Sequence, residues 1–351
     1  MKLTKLLTLF LILLIFGISI LPGRAANAFH SKMVMGYYTV YYPGDTSSYT
    51  SLALYRSSIN HISTLTYDVD RSGNVHGLVP SNALTLAAKT GIRPYVAVAN
   101  RTNGSFDSNA AHVILSDPIL RGKTVQNILS LIRHNGYKGV NIDFENMLAS
   151  DRSYFNTFIR ELTQVLRPKG YETVVSVMAK TSDSPSSPWE GTFDYYTLGQ
   201  TADYIQLMTY DQNGPWSDPG PVSGLHWVEN VLQYATSQIP ANKVIMGISA
   251  YGYDWNTTAG TGSAVAWKNI PNLLRKTRAI PGWDATSSSP YFTYKATDGS
   301  SHIVWYENYE SIQLKAQLAV KYNLAGVSMW CLRLEDENFW KAVQEGLGKT
   351  I

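Results

Sequence analysis

Strand-like and helix-like segments alternate along this chain, and that alternation limits the folds that it can adopt. Short apolar runs are followed repeatedly by longer segments whose apolar residues have helical spacing. Parallel strands joined by helices produce this order, in either a closed barrel or an open doubly wound sheet. The eight predicted strands are Met33–Val40, His61–Asp70, Arg93–Asn100, Lys138–Glu145, Thr173–Met178, Tyr204–Tyr210, Lys243–Tyr251 and Gly326–Cys331.

The connections between these strands favour the closed barrel. No Gly-rich phosphate turn follows the first strand, although such a turn is typical of doubly wound nucleotide-binding sheets. The length of 351 residues suits one barrel. We therefore predict an α/β fold, a (β/α)8 TIM barrel. Its predicted helices are Ser81–Gly91, Ser116–Asn135, Asp151–Leu166 with Asp151 as its cap, Phe193–Gln200, Leu225–Gln238, Glu310–Tyr322 and Glu337–Leu347.

One interval interrupts the alternation. Residues 254–308 are more numerous than a single loop requires. Near the end of this interval, Tyr291–Lys295 and His302–Tyr306 flank Asp298-Gly299, which is typical of a β-hairpin. We predict a small α+β insertion after strand seven that forms one wall of a cleft.

The first residues have the order of a secretory signal peptide. Lys2 and Lys5 precede the apolar run Leu6–Leu21, and Ala26-Asn27-Ala28 offers a small-x-small cleavage site. We predict a signal peptide over residues 1–28 and a barrel over residues 29–351, with no stable membrane anchor after cleavage. An uncleaved anchor is the alternative, but the run is short for a membrane span.

Charge and cysteine content exclude several classes of partner. Cleavage at Ala28 would remove three basic residues and no acidic one, which leaves 26 of each kind. The near-neutral product gives no reason to expect nucleic-acid binding. Cys331 is the only cysteine, and the seven histidines lack metal-ligand spacing. We expect a monomer without a metal or cofactor.

The run Lys138–Glu145 places three polar side chains on one face of a strand. Asn141, Asp143 and Glu145 alternate with apolar residues, and alternate strand positions share a face. Buried polar groups are costly unless they bond to each other or to a ligand. Two close carboxyl groups suit acid catalysis, because one can remain protonated beside an ionised neighbour.

Other strand ends add aromatic and amide groups. Active sites of such barrels lie at the carboxyl ends of the strands, where aromatic faces can stack on sugar rings. The candidates for contact with a sugar are Tyr37 on strand one, Gln206, Met208, Tyr210 and Asp211 on strand six, and Trp330 on strand eight.

These motifs resemble those of glycoside hydrolase family 18, the chitinase family. Residues Gly139–Glu145 resemble its D-G-x-D-x-D-x-E signature, and Gln206–Asp211 resemble its Q-x-M-x-Y-D strand. Trp330 is similar to its strand-eight tryptophan. Lys138 and Asn141 replace two acids of the signature, and strand three ends in Ala97-Val98-Ala99-Asn100 without S-x-G-G. These departures resemble the branch of bacterial spore cortex-lytic and germination enzymes.

The resemblance implies substrate-assisted hydrolysis beside N-acetylglucosamine, with net retention. Glu145 would be the general acid, Asp143 would stabilise the reacting acetamido group, and Tyr210 would orient it. The implied substrate contacts are Gln206, Met208, Trp330, Tyr37, Asn141 and Asp211. The implied substrate is β-1,4-linked peptidoglycan, above all spore cortex, and the implied location is secreted or spore-associated. We further expect Asn141 to bond to Asp143 and to set the pH optimum.

Several alternatives remain open. Chitin would use the same residues, a chitinase-like sugar-binding protein would lack catalysis, and a two-carboxylate glycosidase would need a further acid. Each polar candidate could instead be structural, and Asp211 could equally cap a loop. Loop and helix tryptophans more often serve packing, and we exclude Trp227 because it lies in a helix. The tryptophans that are candidates for stacking on sugars in neighbouring subsites are Trp189, Trp216, Trp227 and Trp255.

Overall fold

A closed barrel of eight parallel strands forms the centre of the protein, whose computed structural model describes residues 32–348. Each strand pairs in parallel with the next, and the last pairs with the first. The predicted TIM barrel is therefore confirmed. The strands are β1 (Met33–Thr39), β2 (His61–Val69), β3 (Arg93–Ala99), β4 (Gly139–Asp143), β5 (Glu172–Met178), β6 (Tyr204–Met208), β7 (Val244–Ser249) and β8 (Gly326–Trp330).

Helices follow the strands and cover the barrel. The predicted helix over residues 116–135 is confirmed as Pro118–Asn135, and it starts two residues later than predicted because Asp117 is its N-cap. The Asp117 carboxylate accepts the Ile119 and Leu120 N–H groups, and Pro118 occupies the first turn. The helices around the barrel are Ser47–Tyr55, Ser81–Thr90, Ser108–Ser116, Pro118–Asn135, Arg152–Leu166, Tyr195–Thr201, Leu225–Gln238, Tyr309–Lys321 and Glu337–Gly346.

Asp151 does not cap its helix through its side chain, contrary to the prediction. It occupies the N-cap position of Arg152–Leu166, but its side chain makes no capping hydrogen bond. The fully buried carboxylate instead lies 2.7 Å from Nδ1 of His112. Asp151 therefore ties the start of this helix to Ser108–Ser116.

Strand alternation separates an apolar outer layer from a polar interior in β4. Val140 and Ile142 point outward and belong to the large core between strands and helices. Asn141 and Asp143 alternate with them and face the barrel interior. The predicted shared face of Asn141 and Asp143 is thereby confirmed.

The predicted α+β insertion begins directly after β7. Its strands form one antiparallel five-stranded sheet. The sheet includes the predicted hairpin, whose strands run from Ser289 to Lys295 and from Ser301 to Trp305 in the structure. The sheet starts at Tyr251. The predicted seventh strand, which ended at Tyr251, was therefore two residues too long at its carboxyl end. The remaining elements are the strands Tyr251–Asn256, Thr261–Ala266 and Gly282–Asp284 and the helix Ile270–Thr277.

The predicted signal peptide over residues 1–28 lies outside the described residues. Between residues 32 and 348, no helix is both long enough and apolar enough to cross a lipid bilayer.

Candidate active site

Asp143 and Glu145 lie at the carboxyl end of β4, at the edge of a cavity. The strand ends at Asp143, two residues earlier than predicted. Phe144 turns outward and stacks on Phe158 with a centroid distance of 5.7 Å. This packing directs Glu145 back to the side of Asp143. Asn146 then adopts a φ of 52°, so the chain turns away immediately after Glu145.

The backbone of Glu145 is held by a side chain from the neighbouring strand end. The Glu145 N–H donates to Oδ1 of Asn100 at 2.9 Å, and Nδ2 of Asn100 donates to the Glu145 carbonyl at 2.9 Å. Asn100 is fully buried directly after β3. This clamp fixes the position from which the Glu145 side chain extends. The sequence reasoning missed it, and its only signal was a polar residue ending an apolar strand.

The strand ends surround a cavity of about 250 Å³. The structure brings most of the predicted residues into its wall: Tyr37, Asp143, Glu145, Gln206, Met208, Tyr210, Asp211 and Trp330. The other lining residues are Trp189 and Trp216, which the sequence offered as candidate aromatics, Trp227, which was excluded, and Met178 and Ala179, which were not predicted.

Asn141 lies beneath the cavity and not in its wall. The structure therefore does not place it in contact with a substrate, contrary to the expectation. Its side chain bonds to the hydroxyls of Tyr37 at 2.8 Å, Ser63 at 3.0 Å and Ser176 at 2.9 Å. The expected bond to Asp143 is also wrong. Positions two apart in a strand are separated by about 6.6 Å, which is too far for most direct bonds.

Ser176 of β5 provides the link between Asn141 and Asp143. Its hydroxyl accepts from the Asn141 amide at 2.9 Å, and its interaction with Asp143 lowers the pKa of that carboxyl. Sequence reasoning did not identify Ser176, because serine on a barrel strand carries no distinguishing motif.

The two carboxyl groups have different protonation tendencies. Burial raises the pKa of Asp143 to about 6, against weaker opposing effects of Ser176 and Arg101. The pKa of Glu145 lies well above its ordinary value because of burial and then the charges of Asp143 and Asp211. As pH rises, Asp143 therefore ionises first while Glu145 keeps its proton. This is the protonation state that a general acid beside a carboxylate requires.

Strand β6 ends at Met208, two residues earlier than predicted. Gln206 within it and Tyr210 just after it contribute an acceptor and a donor to the cavity. Burial and the neighbouring acids raise the pKa of Tyr210 well above its ordinary value, so its hydroxyl remains a donor. Nε2 of Gln206 donates to the Leu207 carbonyl at 3.0 Å and to Ser328 Oγ at 3.2 Å. Its buried Oε1 has no partner among the described residues. That oxygen is available to a donor on a bound sugar.

Asp211 connects the cavity to the insertion. Its backbone has a φ of 61°, and its carboxylate accepts the hydroxyls of Tyr251 at 2.6 Å and Tyr253 at 2.8 Å. Burial raises the pKa of Asp211, and these two hydroxyls oppose the rise. Asp211 is thus both a lining residue and an anchor for the insertion.

Aromatic rings form much of the cavity surface. The rings of Tyr37 and Trp330 lie 5.5 Å apart, centroid to centroid. Trp189 and Trp216 are 60% and 67% exposed, so the faces of their rings are available for stacking on a sugar. Trp227 also lines the cavity, so its position in a helix was a poor reason to exclude it.

Trp255 differs from these tryptophans. It is buried, and its ring N–H donates to the Gly214 and Ser217 carbonyls at 3.2 Å. Trp255 therefore packs the insertion against the loop that carries Trp216.

The described part of the chain offers no site for a bound metal ion. Between residues 32 and 348, no three His, Cys, Asp or Glu side chains are grouped so as to hold one.

Comparison with known proteins identifies the family. The family model for Glycosyl hydrolases family 18 matches residues 33–335. The chain belongs to glycosyl hydrolase family 18. Uncharacterized glycosylase YvbX of Bacillus subtilis is 38% identical over 317 residues, which cover 90% of this chain and 91% of that protein. The protein is therefore a glycosidase of family 18, as the sequence motifs predicted.

Two solved structures of family 18 relatives share the fold. A chitinase from Chromobacterium violaceum is 36% identical with a TM-score of 0.86, covering 91% of this chain and 100% of that chain. The spore cortex-lytic enzyme SleL of Bacillus cereus is 28% identical, also with a TM-score of 0.86, covering 91% of this chain and 75% of that chain.

Proposed function

We propose that this family 18 glycosidase hydrolyses β-1,4 bonds beside N-acetylglucosamine in peptidoglycan, with spore cortex as the preferred form. The observation that carries the proposal is the Asp143–Glu145 pair. One carboxyl is inclined to ionise and the other to stay protonated, and both lie in a cavity lined by aromatic rings. Cleaving a glycosidic bond between stacked sugars requires this combination.

In the first step, Glu145 transfers its proton to the glycosidic oxygen, and the bond from that oxygen to the anomeric carbon breaks. The acetamido carbonyl oxygen of the substrate attacks the same carbon and forms a cyclic oxazolinium ion. The leaving chain departs as an alcohol, and Glu145 is left as a carboxylate. The substrate thereby supplies the nucleophile that a two-carboxylate enzyme would take from a second acid.

Two neighbours stabilise the charge that develops in this step. The Asp143 carboxylate accepts the acetamido N–H and balances the positive charge on the ring. The Tyr210 hydroxyl donates to the acetamido oxygen and aims it at the anomeric carbon. The unpaired Oε1 of Gln206 accepts from the same sugar.

In the second step, the Glu145 carboxylate takes a proton from water. The resulting hydroxide equivalent opens the oxazolinium ion from the face that the leaving group vacated. The anomeric configuration is retained after two inversions, and Glu145 regains its proton.

Two observations support peptidoglycan as the substrate. The fold matches that of the cortex-lytic enzyme SleL, and the run Asn141–Glu145 resembles the Asn-Ile-Asp-x-Glu sequence of the spore cortex-lytic branch. The same relationship leads us to propose export through the signal peptide, with the mature monomer secreted or spore-associated. Chitin or its oligosaccharides are a second candidate, because the more similar of the two solved structures is a chitinase.

Parallel digestion separates the two substrates. Purified spore cortex and chitin oligosaccharides are incubated with mature protein, and new reducing ends are identified by borohydride labelling and mass spectrometry. We expect N-acetylglucosamine reducing ends from cortex at a rate at least about tenfold above that from chitin oligosaccharides. Faster release from chitin oligosaccharides would overturn the peptidoglycan assignment and establish the chitinase.

A further inference from the structure

A second cavity of about 580 Å³ adjoins the active-site cavity. The two cavities share Asp211 and Trp330 in their walls. The second is formed by the loops after β1 and β8 and by the insertion, and neither Asp143 nor Glu145 lines it. A glycan that stacks on Trp330 can therefore continue into this space, where its sugars lie away from the bond being cleaved.

The second cavity has more basic than acidic side chains in its wall. Arg333 and Lys268 are its two basic lining residues, and Asp211 is its only acidic one among the described residues. The Asp211 carboxylate already accepts the hydroxyls of Tyr251 and Tyr253, and burial raises its pKa. Asp211 makes no ion pair with Lys268 or Arg333, and the acidic partner of Arg333 is Asp45.

Arg333 is fixed at this position and keeps unused N–H hydrogen-bond donors. Its guanidinium lies 4.2 Å from the centroid of the Tyr41 ring, and its Nη1 lies 3.6 Å from Oδ2 of Asp45. This contact is an ion pair that offsets part of the Arg333 charge, but the distance is longer than a hydrogen bond. The Asp45 carboxylate instead accepts the Tyr41 and Ser47 N–H groups at 3.2 and 3.0 Å. A guanidinium has five N–H donors, so Arg333 can still bind an anion in the cavity.

Lys268 lines the same cavity from the insertion. It follows directly on the insertion strand Thr261–Ala266 and Trp267, and its backbone N–H donates to the Leu334 carbonyl at 3.0 Å. This bond fixes the start of its side chain beside the loop that carries Arg333. The side chain is exposed and makes no ion pair with any described residue.

We propose that this cavity binds a sugar unit that carries a carboxylate, and that Lys268 and Arg333 recognise that carboxylate. The inference rests on the proposed function and adds a specificity site to it. Tyr41 and Tyr42, which are 55% and 61% exposed, give the sugar ring apolar surface to cover. An acidic sugar would gain charge-assisted hydrogen bonds that a neutral N-acetylglucosamine unit cannot form. The carboxylate belongs either to a lactyl ether on the sugar or to a peptide attached through it.

The test measures binding by calorimetry in a Glu145→Gln background, which prevents turnover. Three glycan ligands of equal length are compared: peptide-free strands with lactyl carboxylates, the same strands with those carboxyls reduced to alcohols, and strands that retain peptides. We expect the peptide-free acidic strands to bind about tenfold more tightly than the reduced strands. If only the peptide-bearing strands bind more tightly than the reduced ones, the carboxylate recognised is that of the peptide.

Charge-removing variants assign the effect to the cavity. Lys268→Gln alone should reduce the acidic-to-reduced affinity ratio about threefold, and Lys268→Gln combined with Arg333→Gln should bring it close to one. Lys295→Gln is the matched control, because Lys295 is an exposed lysine of the same insertion that does not line the cavity. It should leave the ratio unchanged. Since Lys268 is exposed, its variant is expected to fold even if the Arg333 variant does not.

Equal binding of all three ligands by the Glu145→Gln parent, or a preference over the reduced strands that is unchanged in the double variant, would overturn the proposal. Its failure is distinguishable from failure of the proposed function. The latter would appear as no release of reducing ends from any peptidoglycan strand by the wild type, whatever the affinity ratio. Absence of binding to all three ligands would overturn both.

Discussion

Asn100 and Ser176 show how residues outside the cavity wall define the site. Asn100 bonds to both backbone polar groups of Glu145, and Ser176 links Asp143 to the buried Asn141. The sequence predicted Asp143 and Glu145 because their alternation with apolar residues is visible locally. Asn100 lies 45 positions from Glu145, and a bond across that separation exists only once β3 and β4 pair.

Removal of the Asn100 clamp should impair turnover more than binding. Asn100→Ala leaves the Glu145 N–H and carbonyl without their side-chain partner in a buried site, at a cost of about 1–3 kcal/mol in stability. We expect kcat to fall about 10- to 100-fold with little change in KM, because the general acid loses its alignment. Steady-state kinetics and thermal unfolding measure the two effects.

Asn127→Ala is the control for this variant. Asn127 donates to the Gly73 carbonyl at 2.8 Å, away from the cavity. It should lower stability without changing kcat. Equal kcat in Asn100→Ala and the wild type would show that the clamp does not position Glu145.

The pH dependence of kcat/KM should reflect the two carboxyls as a coupled pair. Activity should rise with pH through about 6 as Asp143 ionises, and fall at higher pH as Glu145 loses its proton. Asp143→Asn should lower kcat/KM about 100-fold or more and remove the rising limb. Because the Asp143 charge raises the pKa of Glu145, the falling limb should also move to lower pH. A rising limb that persists unchanged in Asp143→Asn would assign it to another group.

Asn141→Asp tests whether the polar groups beneath the cavity influence the ionisation of Asp143. A second buried carboxylate near Asp143 disfavours ionisation of both groups, so the pKa of Asp143 should rise further. The rising limb of kcat/KM should then move to higher pH. An unchanged pH profile would mean that the Ser176 link does not transmit the charge.

At the scale of elements, helix boundaries and the insertion depend on single residues. Asp117 and Pro118 set the start of the helix Pro118–Asn135, two residues after the start that helical spacing alone predicts. The predicted hairpin was confirmed because Asp298-Gly299 is a local turn signal, whereas the start of the insertion at Tyr251 was not recognised. Tyr251 continues an apolar strand in sequence, and only its pairing with Ala266 shows that it belongs to another sheet.

The contact between the insertion and Asp211 should influence catalysis. The Tyr251 and Tyr253 hydroxyls lower the pKa of Asp211, so replacing both by Phe should favour its neutral form. A neutral Asp211 no longer raises the pKa of Glu145. We expect the falling limb of the kcat/KM profile to move to lower pH in the double variant.

Tyr294→Phe is the matched control for that contact. Tyr294 bonds to Asp254 within the insertion and lines neither cavity. Its pH profile should equal that of the wild type. If the double variant also keeps the wild-type profile, the insertion does not act on the site through Asp211.

At the scale of the whole molecule, the alternation of strands and helices, together with the lack of a Gly-rich turn after the first strand, was sufficient to predict the closed barrel. The same closure placed strand ends distant in sequence around one cavity, as the motifs on strands four, six and eight indicated. The second cavity could not be predicted in this way. Lys268 belongs to the insertion and Arg333 to the loop after β8, and no sequence pattern relates the two.

The mechanism as a whole requires the acetamido group of the substrate. De-N-acetylated glycan strands lack the carbonyl oxygen that attacks the anomeric carbon, so their hydrolysis should be slower by about 100-fold or more. Comparing initial rates on acetylated and chemically deacetylated strands of equal length measures this. Similar rates on both would favour a two-carboxylate mechanism, with a nucleophile supplied by the protein.

The role of Glu145 is tested most directly by the release of reducing ends from peptidoglycan by the wild type and by Glu145→Gln. We expect new N-acetylglucosamine reducing ends from the wild type. In Glu145→Gln the rate should be lower by at least about 1,000-fold, because the amide has the shape of the carboxyl group but cannot donate its acidic proton. Glu310→Gln, a change at an exposed glutamate outside both cavities, should match the wild type. Comparable release by Glu145→Gln and the wild type would contradict the account.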